Sequence, residues 1–320
     1  MTVVCWVVAG LAAAFAAVRL LGAERGTPLT QLVTYTPYAA AGALLAGGIV
    51  LAAGATGPGL LCLGAGVVLA GLVVSRLVPG RAPADGVRLR VMAANLLFGA
   101  AATARFVEQV KVDDIDVLAV QELTEEGLAA LHAAGIEALL PHRVVAPRPG
   151  GGGAALFSRH PIDEPEVRLL PPVPMAQTRG LVRVPGAGAV LVESAHPYPP
   201  RRGWVRVWRD NLADQPRPDP AGPPVVLLGD FNATADHAAL RRLLRAGFRD
   251  AASARGRGLA PTWPRKTSAH AALPFWTPPV PLDHVLVERR IGVREFGTRV
   301  IAGSDHWAVV AELVLKPSTM

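Results

Sequence analysis

The first quarter of the chain holds three long stretches almost without charge, residues 3–21, 35–55 and 59–75. Each approaches the ~20 residues a helix needs to cross the hydrocarbon core of a bilayer. Inside lipid the backbone finds no water, so such a stretch must satisfy its own amides, and a helix does so. Arg19 alone interrupts the first stretch, near its end. A secretory signal would open on a basic region, which is missing, and would not be followed by two more apolar segments. The reading is therefore three transmembrane helices within residues 1–78. The small pairs Ala41-Gly42 and Gly47-Gly48, with Gly64 and Gly66, predict close packing among them.

These segments account for an apolar fraction of 51% in 320 residues and a mean hydropathy of +0.34. The net charge of +7 is a weaker signal. Lysine stands only at positions 111, 266 and 316, so nearly all 32 basic residues are arginine. With the abundance of Ala, Gly and Pro, that is the coding bias of a GC-rich genome rather than a nucleic-acid footprint. Both cysteines, Cys5 and Cys62, fall in the apolar segments, which leaves no thiolate zinc site elsewhere.

A Pro/Gly-rich linker follows at residues 79–86, and a second domain is expected over residues 87–320. Its texture alternates short apolar runs with a few helical patterns. The runs 87–92, 117–120, 154–157, 225–228, 282–287 and 308–315 read as strands, and 180–184 with 189–193 as a hairpin around Pro185-Gly186. Helices are predicted over 101–112, 123–134, 206–214 and 238–246. Strands that interleave with few helices imply mixed α/β with sheet packed on sheet.

The ends of these runs carry Asn95, Glu122, His196, Asp230 with Asn232, Asp283, and Asp305 with His306. Hard oxygen donors without cysteine suit Mg²⁺ or Mn²⁺, with Glu122 as first ligand and Asp305 as second. Asn95, Asn232 and His196 can donate to a phosphate without adding negative charge. His306 is expected as a general base or a phosphate-polarising cation. Asp283 is expected to orient it, because adjacent side chains such as Asp305 point the other way in extended chain. Asp230 is then free to activate the attacking water. The site so assembled suits phosphoester hydrolysis.

The motifs Ala94-Asn95-Leu96, Gln121-Glu122, Gly153 to Arg159, His196, Gly229-Asp230-Phe231-Asn232, Thr262-Trp263-Pro264, Leu282-Asp283-His284 and Ser304-Asp305-His306 stand in one order. That ordered series resembles the endonuclease/exonuclease/phosphatase superfamily, the deoxyribonuclease-I-like fold. The resemblance implies a four-layer α/β sandwich of two packed mixed sheets and a Mg²⁺-dependent phosphoesterase. It implies the roles above, with Ser304 and Thr262 supporting the site from behind. Some members carry a metal-binding carboxylate where this chain has Leu97, which places more weight on Glu122. With its three helices the chain is also similar to the membrane-anchored VanJ-like proteins of actinobacteria, linked to glycopeptide resistance.

The positive-inside rule, counting Arg19, Arg25, Arg76 and Arg81, points to a cytoplasmic domain. The resemblance instead implies an extracytoplasmic one, and large domains translocate largely regardless of flanking charge. The expectation is a multi-pass protein of the cell membrane, with the catalytic domain outside. Its substrate would be a phosphorylated lipid or another phosphoester, and no protein partner is implied. The competing reading is a tethered nuclease, for which Arg201, Arg202, Arg206 and Arg209 with Trp204 and Trp208 would form a phosphate-tracking patch.

Overall fold

The computed structural model describes residues 2–83, 85–101, 103–265 and 277–318. One residue of the expected linker, position 84, lies outside them. In chain order the helices are α1 (Thr2–Leu21), α2 (Leu29–Val33), α3 (Thr36–Ala52), α4 (Thr56–Val74), α5 (Thr103–Val112), α6 (Glu125–Ala133), α7 (Ile136–Leu139), α8 (Val205–Ala213), α9 (Ala238–Arg245) and α10 (Ala251–Ala254). The first six strands are β1 (Val87–Asn95), β2 (Val117–Gln121), β3 (His142–Ala146), β4 (Ala154–Ser158), β5 (Ile162–Leu170) and β6 (Met175–Val184). The others are β7 (Gly188–Ala195), β8 (Val225–Asp230), β9 (Phe248–Asp250), β10 (Asp283–Glu288), β11 (Gly292–Val300) and β12 (Trp307–Leu315).

The strands form two six-stranded sheets, ordered β11-β12-β1-β2-β4-β3 and β5-β6-β7-β8-β10-β9. Each is mixed, with one central parallel pair, β1 with β2 and β7 with β8. Alternate residues of β1 (Leu89, Val91, Ala93) meet Val226 and Leu228 of β8 and Val285 and Val287 of β10 in the core between the sheets. The opposite face of β1, through Met92 and Ala94, packs on Phe106 and Val110 of α5 and Leu131 of α6. The outer face of the second sheet buries Trp208 of α8 and Leu240 and Leu243 of α9. Helix, sheet, sheet and helix make the four layers expected. Strands β3, β5, β9 and β11 escaped the sequence reading. In β5 the burial is slight and polar residues interrupt the alternation, and a register shift between Asp163 and Glu166 breaks the period further.

At the N-terminus, α1 and α4 are long and apolar enough to cross a membrane, with 20 and 19 residues. The middle helix α3 is equally apolar but shorter, at 17 residues. Glycine brings α3 and α4 into backbone contact. A Cβ on Gly47 would sit 2.9 Å from the Leu63 amide, and one on Gly66 would sit 2.9 Å from that of Leu44. Gly42, Gly48 and Gly64, expected to share this role, have no neighbour within 4 Å of a built Cβ. They face away, because the contact stripe runs only through positions about one turn apart.

Arg19 near the end of α1 and Arg76 just past α4 converge on one carboxylate. Arg19 Nε donates to Asp236 Oδ1 and Arg76 Nη1 to Asp236 Oδ2, both at 2.8 Å. All three residues are buried. Burial alone would raise the Asp236 pKa, yet Arg76 and Arg19 outweigh it and hold the carboxyl below its ordinary value. Asp236 follows the Gly229–Asn232 motif, so this pairing ties the N-terminal helices to the loop after β8. Removing the shared anion leaves two buried cations uncompensated. Asp236→Ala should therefore destabilise the full-length protein by ~3–5 kcal/mol, read as a lowered thermal midpoint in detergent, while Arg25→Ala on the exposed connection leaves it in place.

Candidate active site

All eight polar positions singled out at strand ends meet at one end of the sandwich, and topology explains why. Strands β1, β2, β7 and β8 arrive there at their C-terminal ends, bringing Asn95, Glu122, His196 and Asp230. Strands β10 and β12 run antiparallel to β8 and β1, so they contribute from their beginnings: Asp283, and Asp305 with His306. Asp283 pairs directly opposite Asp230 in the β8–β10 ladder.

The seam between the sheets is crossed by side-chain hydrogen bonds. Asn95 Nδ2 donates to Glu122 Oε1 at 3.0 Å and to Asp230 Oδ2 at 3.2 Å. His306 Nδ1 lies 2.8 Å from Asp283 Oδ2, whereas Asp305 Oδ2 is 4.0 Å from His306 Nε2. His306 Nε2 and His196 Nε2 each stand 3.8 Å from Asp230 Oδ2. Ser304 Oγ donates to the Asn95 carbonyl at 2.7 Å and accepts from the His306 amide at 3.0 Å. Thr262 Oγ1 accepts from the Leu282 and Asp283 amides at 2.8 and 3.0 Å, setting the start of β10. Asn232 Nδ2 donates to the Pro197 carbonyl at 3.2 Å.

The backbone is specialised here. Glu122 and Asn232 have φ of +56° and +49°, left-handed values that only a well-determined surrounding holds for residues other than glycine. Gly229 has φ +147°, and a Cβ there would lie 2.1 Å from the Ala195 carbonyl of the neighbouring parallel strand. Glycine is thus needed for conformation and for closeness. Gly229→Ala should prevent accumulation of folded protein, checked by expression and size-exclusion chromatography.

Burial sets the protonation states. Asp230 is pushed up to about 7, first by burial, against the pull of His306. Burial works against charge on His306, but the Asp283 and Asp230 carboxylates outweigh it and hold the imidazole up to about 10. Burial and the neighbouring His306 drive His196 down to about 3, so it is neutral. Glu122 is raised by burial, less the Asn95 bond, with Asp305 adding to the rise. Among the described residues the hydrogen-bond donors to Glu122 are Asn95 Nδ2 and the Phe98 amide, neither of them a cationic side chain.

Such a half-buried carboxylate, facing the same cavity as Asp230 and Asp305, is the donor chemistry that suits a hard divalent cation. Asp230, Asp283 and His306 also cluster, with ligand atoms within 4.8 Å of one another. There, however, the 2.8 Å His306–Asp283 bond already compensates the charge. Leu97, at the position where some family members carry a carboxylate, is buried and donates its amide to Asn95 Oδ1 at 3.0 Å.

The cavity over these groups has a volume of about 940 Å³. Some of its walls were not foreseen. Phe98, Arg148 and Tyr198 line it, as does Trp263, whose Nε1 donates to Asp305 Oδ2 at 2.8 Å. Arg148 follows β3, which the sequence reading missed, Phe98 and Tyr198 lie just past Asn95 and His196 with no acid or amide of their own, and Trp263 stood in the Thr262-Trp263-Pro264 motif without an assigned role. The expected arginine–tryptophan patch is corrected in one member: Trp208 is 1% exposed and donates to the Phe231 carbonyl. The side chain is spent on the core, while the Trp204 ring packs against Tyr198, tilted by 46° with centroids 5.1 Å apart.

Two changes separate the roles of these groups. Asp283→Asn removes the charge that raises His306, so the alkaline limb of a kcat/KM–pH profile should fall from near 10 by at least ~1 unit. Ser304→Ala loses only neutral bonds and should leave that limb in place. The acid limb should rise with pH through about 7 as Asp230 loses its proton.

With the geometry described, the chain can be compared with known proteins. The structure resembles that of an endonuclease/exonuclease/phosphatase from Beutenbergia cavernae, at 19% identity over 72% of each chain with a TM-score of 0.54. It also resembles truncated TDP2 from Caenorhabditis elegans, at 18% identity over 72% of this chain and 100% of that one, TM-score 0.55. A family protein from Bacteroides thetaiotaomicron gives 16% identity, coverage of 73% and 100%, and a TM-score of 0.53. At these identities the likeness speaks for the fold. No curated protein matches the sequence, and the narrower likeness to VanJ-like proteins gains nothing from these matches. Residues 92–306 match the Endonuclease/Exonuclease/phosphatase family across more than half of the chain, and the chain therefore belongs to that family.

Proposed function

We propose that the protein is a membrane-anchored, divalent-cation-dependent phosphoesterase that hydrolyses a lipid-linked phosphate ester or pyrophosphate by attack of an activated water. The family comprises phosphoester hydrolases. The observation that carries the reading is the set of opposed charges in one buried cavity: Asp230 near neutrality, His306 held cationic, His196 held neutral.

In this mechanism Asp230 takes a proton from the attacking water, for which a pKa near the working pH is suited. Of the two roles open to His306, the raised pKa favours the cation. Its Nδ1–H is held by Asp283, and Nε2–H is left to donate to a phosphate oxygen. Neutral His196 and the Asn232 amide donate to the same phosphate without adding charge. Asn95, whose Nδ2 already serves Glu122 and Asp230, acts on the phosphate only by yielding one of those bonds. When bound, Mg²⁺ or Mn²⁺ held by Glu122, with Asp305 as second carboxylate, supplies charge neutralisation at the non-bridging oxygens. Asp230→Ala and His306→Ala should each lower kcat by at least ~100-fold with the fold intact, and EDTA should stop turnover.

The membrane anchor is supported by the two long apolar helices and by the outward apolar faces of α1, α3 and α4, where Val3, Leu11, Leu45 and Val67 are all exposed. We place the domain on the extracytoplasmic side of the cell membrane. Arg19 and Arg76 belong to the Asp236 pairing, which reduces the flanking charge that argues for the cytoplasm to Arg25 and Arg81.

The test is hydrolysis by the full-length protein with Mg²⁺, offered undecaprenyl pyrophosphate and plasmid DNA in parallel, with Asp230→Ala as blank. Phosphate release with intact DNA is expected. Nicked DNA with untouched lipid would make the protein a tethered nuclease, with exposed arginines such as Arg206 as its phosphate contacts.

A further inference from the structure

The N-terminal helices do more than hold the domain in place. The segment between α1 and α3 reaches into the cavity: Gln31, Thr34 and Tyr35 line it together with Glu122, Asp230 and His306. It is fastened to loops that shape the same cavity. Gln31 Nε2 donates to the Pro200 carbonyl. His237 Nε2 lies 2.9 Å from the Thr30 carbonyl, beyond the Gly229–Asn232 turn. Tyr38 OH donates to the Pro279 carbonyl at 2.7 Å, just ahead of β10. Short helix α2 turns Gln31 inward and leaves Leu29 and Leu32 exposed at 36% and 46%. The segment is thus an apolar edge on the outside and a wall on the inside.

A phosphate alone does not require this wall. The cavity, about 940 Å³, is at the upper end of what small-molecule sites occupy (~300–1,000 Å³). Its floor is polar, where Asp230, His306 and His196 stand. Tyr35, Phe98, Val173, Met175 and Tyr198 line the same cavity and present apolar and aromatic surface. A ligand that fills both parts carries a phosphate at one end and an apolar chain next to it.

We propose that residues 31–35 form a substrate wall that selects phosphoesters bearing an apolar chain, with Tyr35 as the main contact, so that the catalytic site is incomplete without the segment between the N-terminal helices. This rests on the phosphoesterase reading above. The wall emerges between α1, which is long and apolar enough to cross the membrane, and the shorter apolar α3, so an amphiphile held in that membrane meets it with its phosphate already at the bilayer surface. Tyrosine suits this place, since its ring is apolar and its hydroxyl stays wet.

The test uses the full-length protein in detergent micelles with Mg²⁺, comparing wild type with Tyr35→Ala and with Thr34→Ala. Rates are measured on farnesyl pyrophosphate, on dioleoyl phosphatidic acid and on chain-free p-nitrophenyl phosphate. The ratio of kcat/KM for a chain-bearing substrate to that for p-nitrophenyl phosphate should fall at least ~10-fold in Tyr35→Ala, mainly through KM. The lipid whose ratio falls identifies an isoprenoid or a diacyl chain. A variant that merely folds poorly loses all rates in proportion, and an unchanged ratio in both variants overturns the wall. Binding of farnesyl phosphate to Asp230→Ala protein, with and without Tyr35→Ala, needs no turnover. Weaker binding by ~10-fold is expected, and equal binding overturns the proposal. Wild-type protein that cleaves none of the three substrates overturns the phosphoesterase reading instead, while this binding comparison still decides the wall.

Discussion

The structure depends on the face-to-face contact of two sheets whose central strands end at the same edge. Apolar alternation in β1, β8, β10 and β12 closes the seam from within. At its open end the same strands deliver polar side chains that bond across it, Asn95 to Asp230 and His306 to Asp283. No single sheet holds the site. A shift of one residue in any of these strands would exchange core side chains for site side chains, because the period of a strand is two. Packing and function are therefore specified by one register.

That edge concentrates negative charge where water is scarce. Glu122, Asp230, Asp283 and Asp305 gather there around His306, and the consequence is that the pKa values of Glu122, Asp230 and His306 are all raised. A carboxyl near neutrality beside an imidazolium is a pairing that can move a proton and hold a phosphate oxygen in one step. Left-handed backbone at Glu122 and Asn232 is the local cost of aiming these groups.

A second constraint lies behind the site. The Arg19–Asp236–Arg76 pairing joins the first and the last of the long N-terminal helices, α1 and α4, to the loop after β8. Three charges are buried together, which is tolerable only because each cation meets the same carboxylate with hydrogen bonds. The pairing fixes where the connection between α1 and α3 lies, and that connection becomes part of the cavity. In the proposed function, anchor and substrate wall are the same piece of chain.

Much of this was legible in the chain itself. The uncharged stretches determined helices, because lipid-sized apolar runs have no other stable form. Period-two runs determined strands, and the polar residues at their ends were the ones that meet. Asp283 could be preferred over Asp305 as the partner of His306 from strand alternation alone. Other features needed the tertiary structure. Which strand ends share an edge follows from parallel and antiparallel pairing between distant segments. Trp208 belongs to the core because α8 turns that face inward. Arg19 and Arg76 read as flanking charges until Asp236, some 160 or more residues away, was brought between them. Local pattern fixes what a segment can be; long-range pairing decides what it stands beside, and the pKa values, the cavity and its N-terminal wall all depend on that neighbourhood.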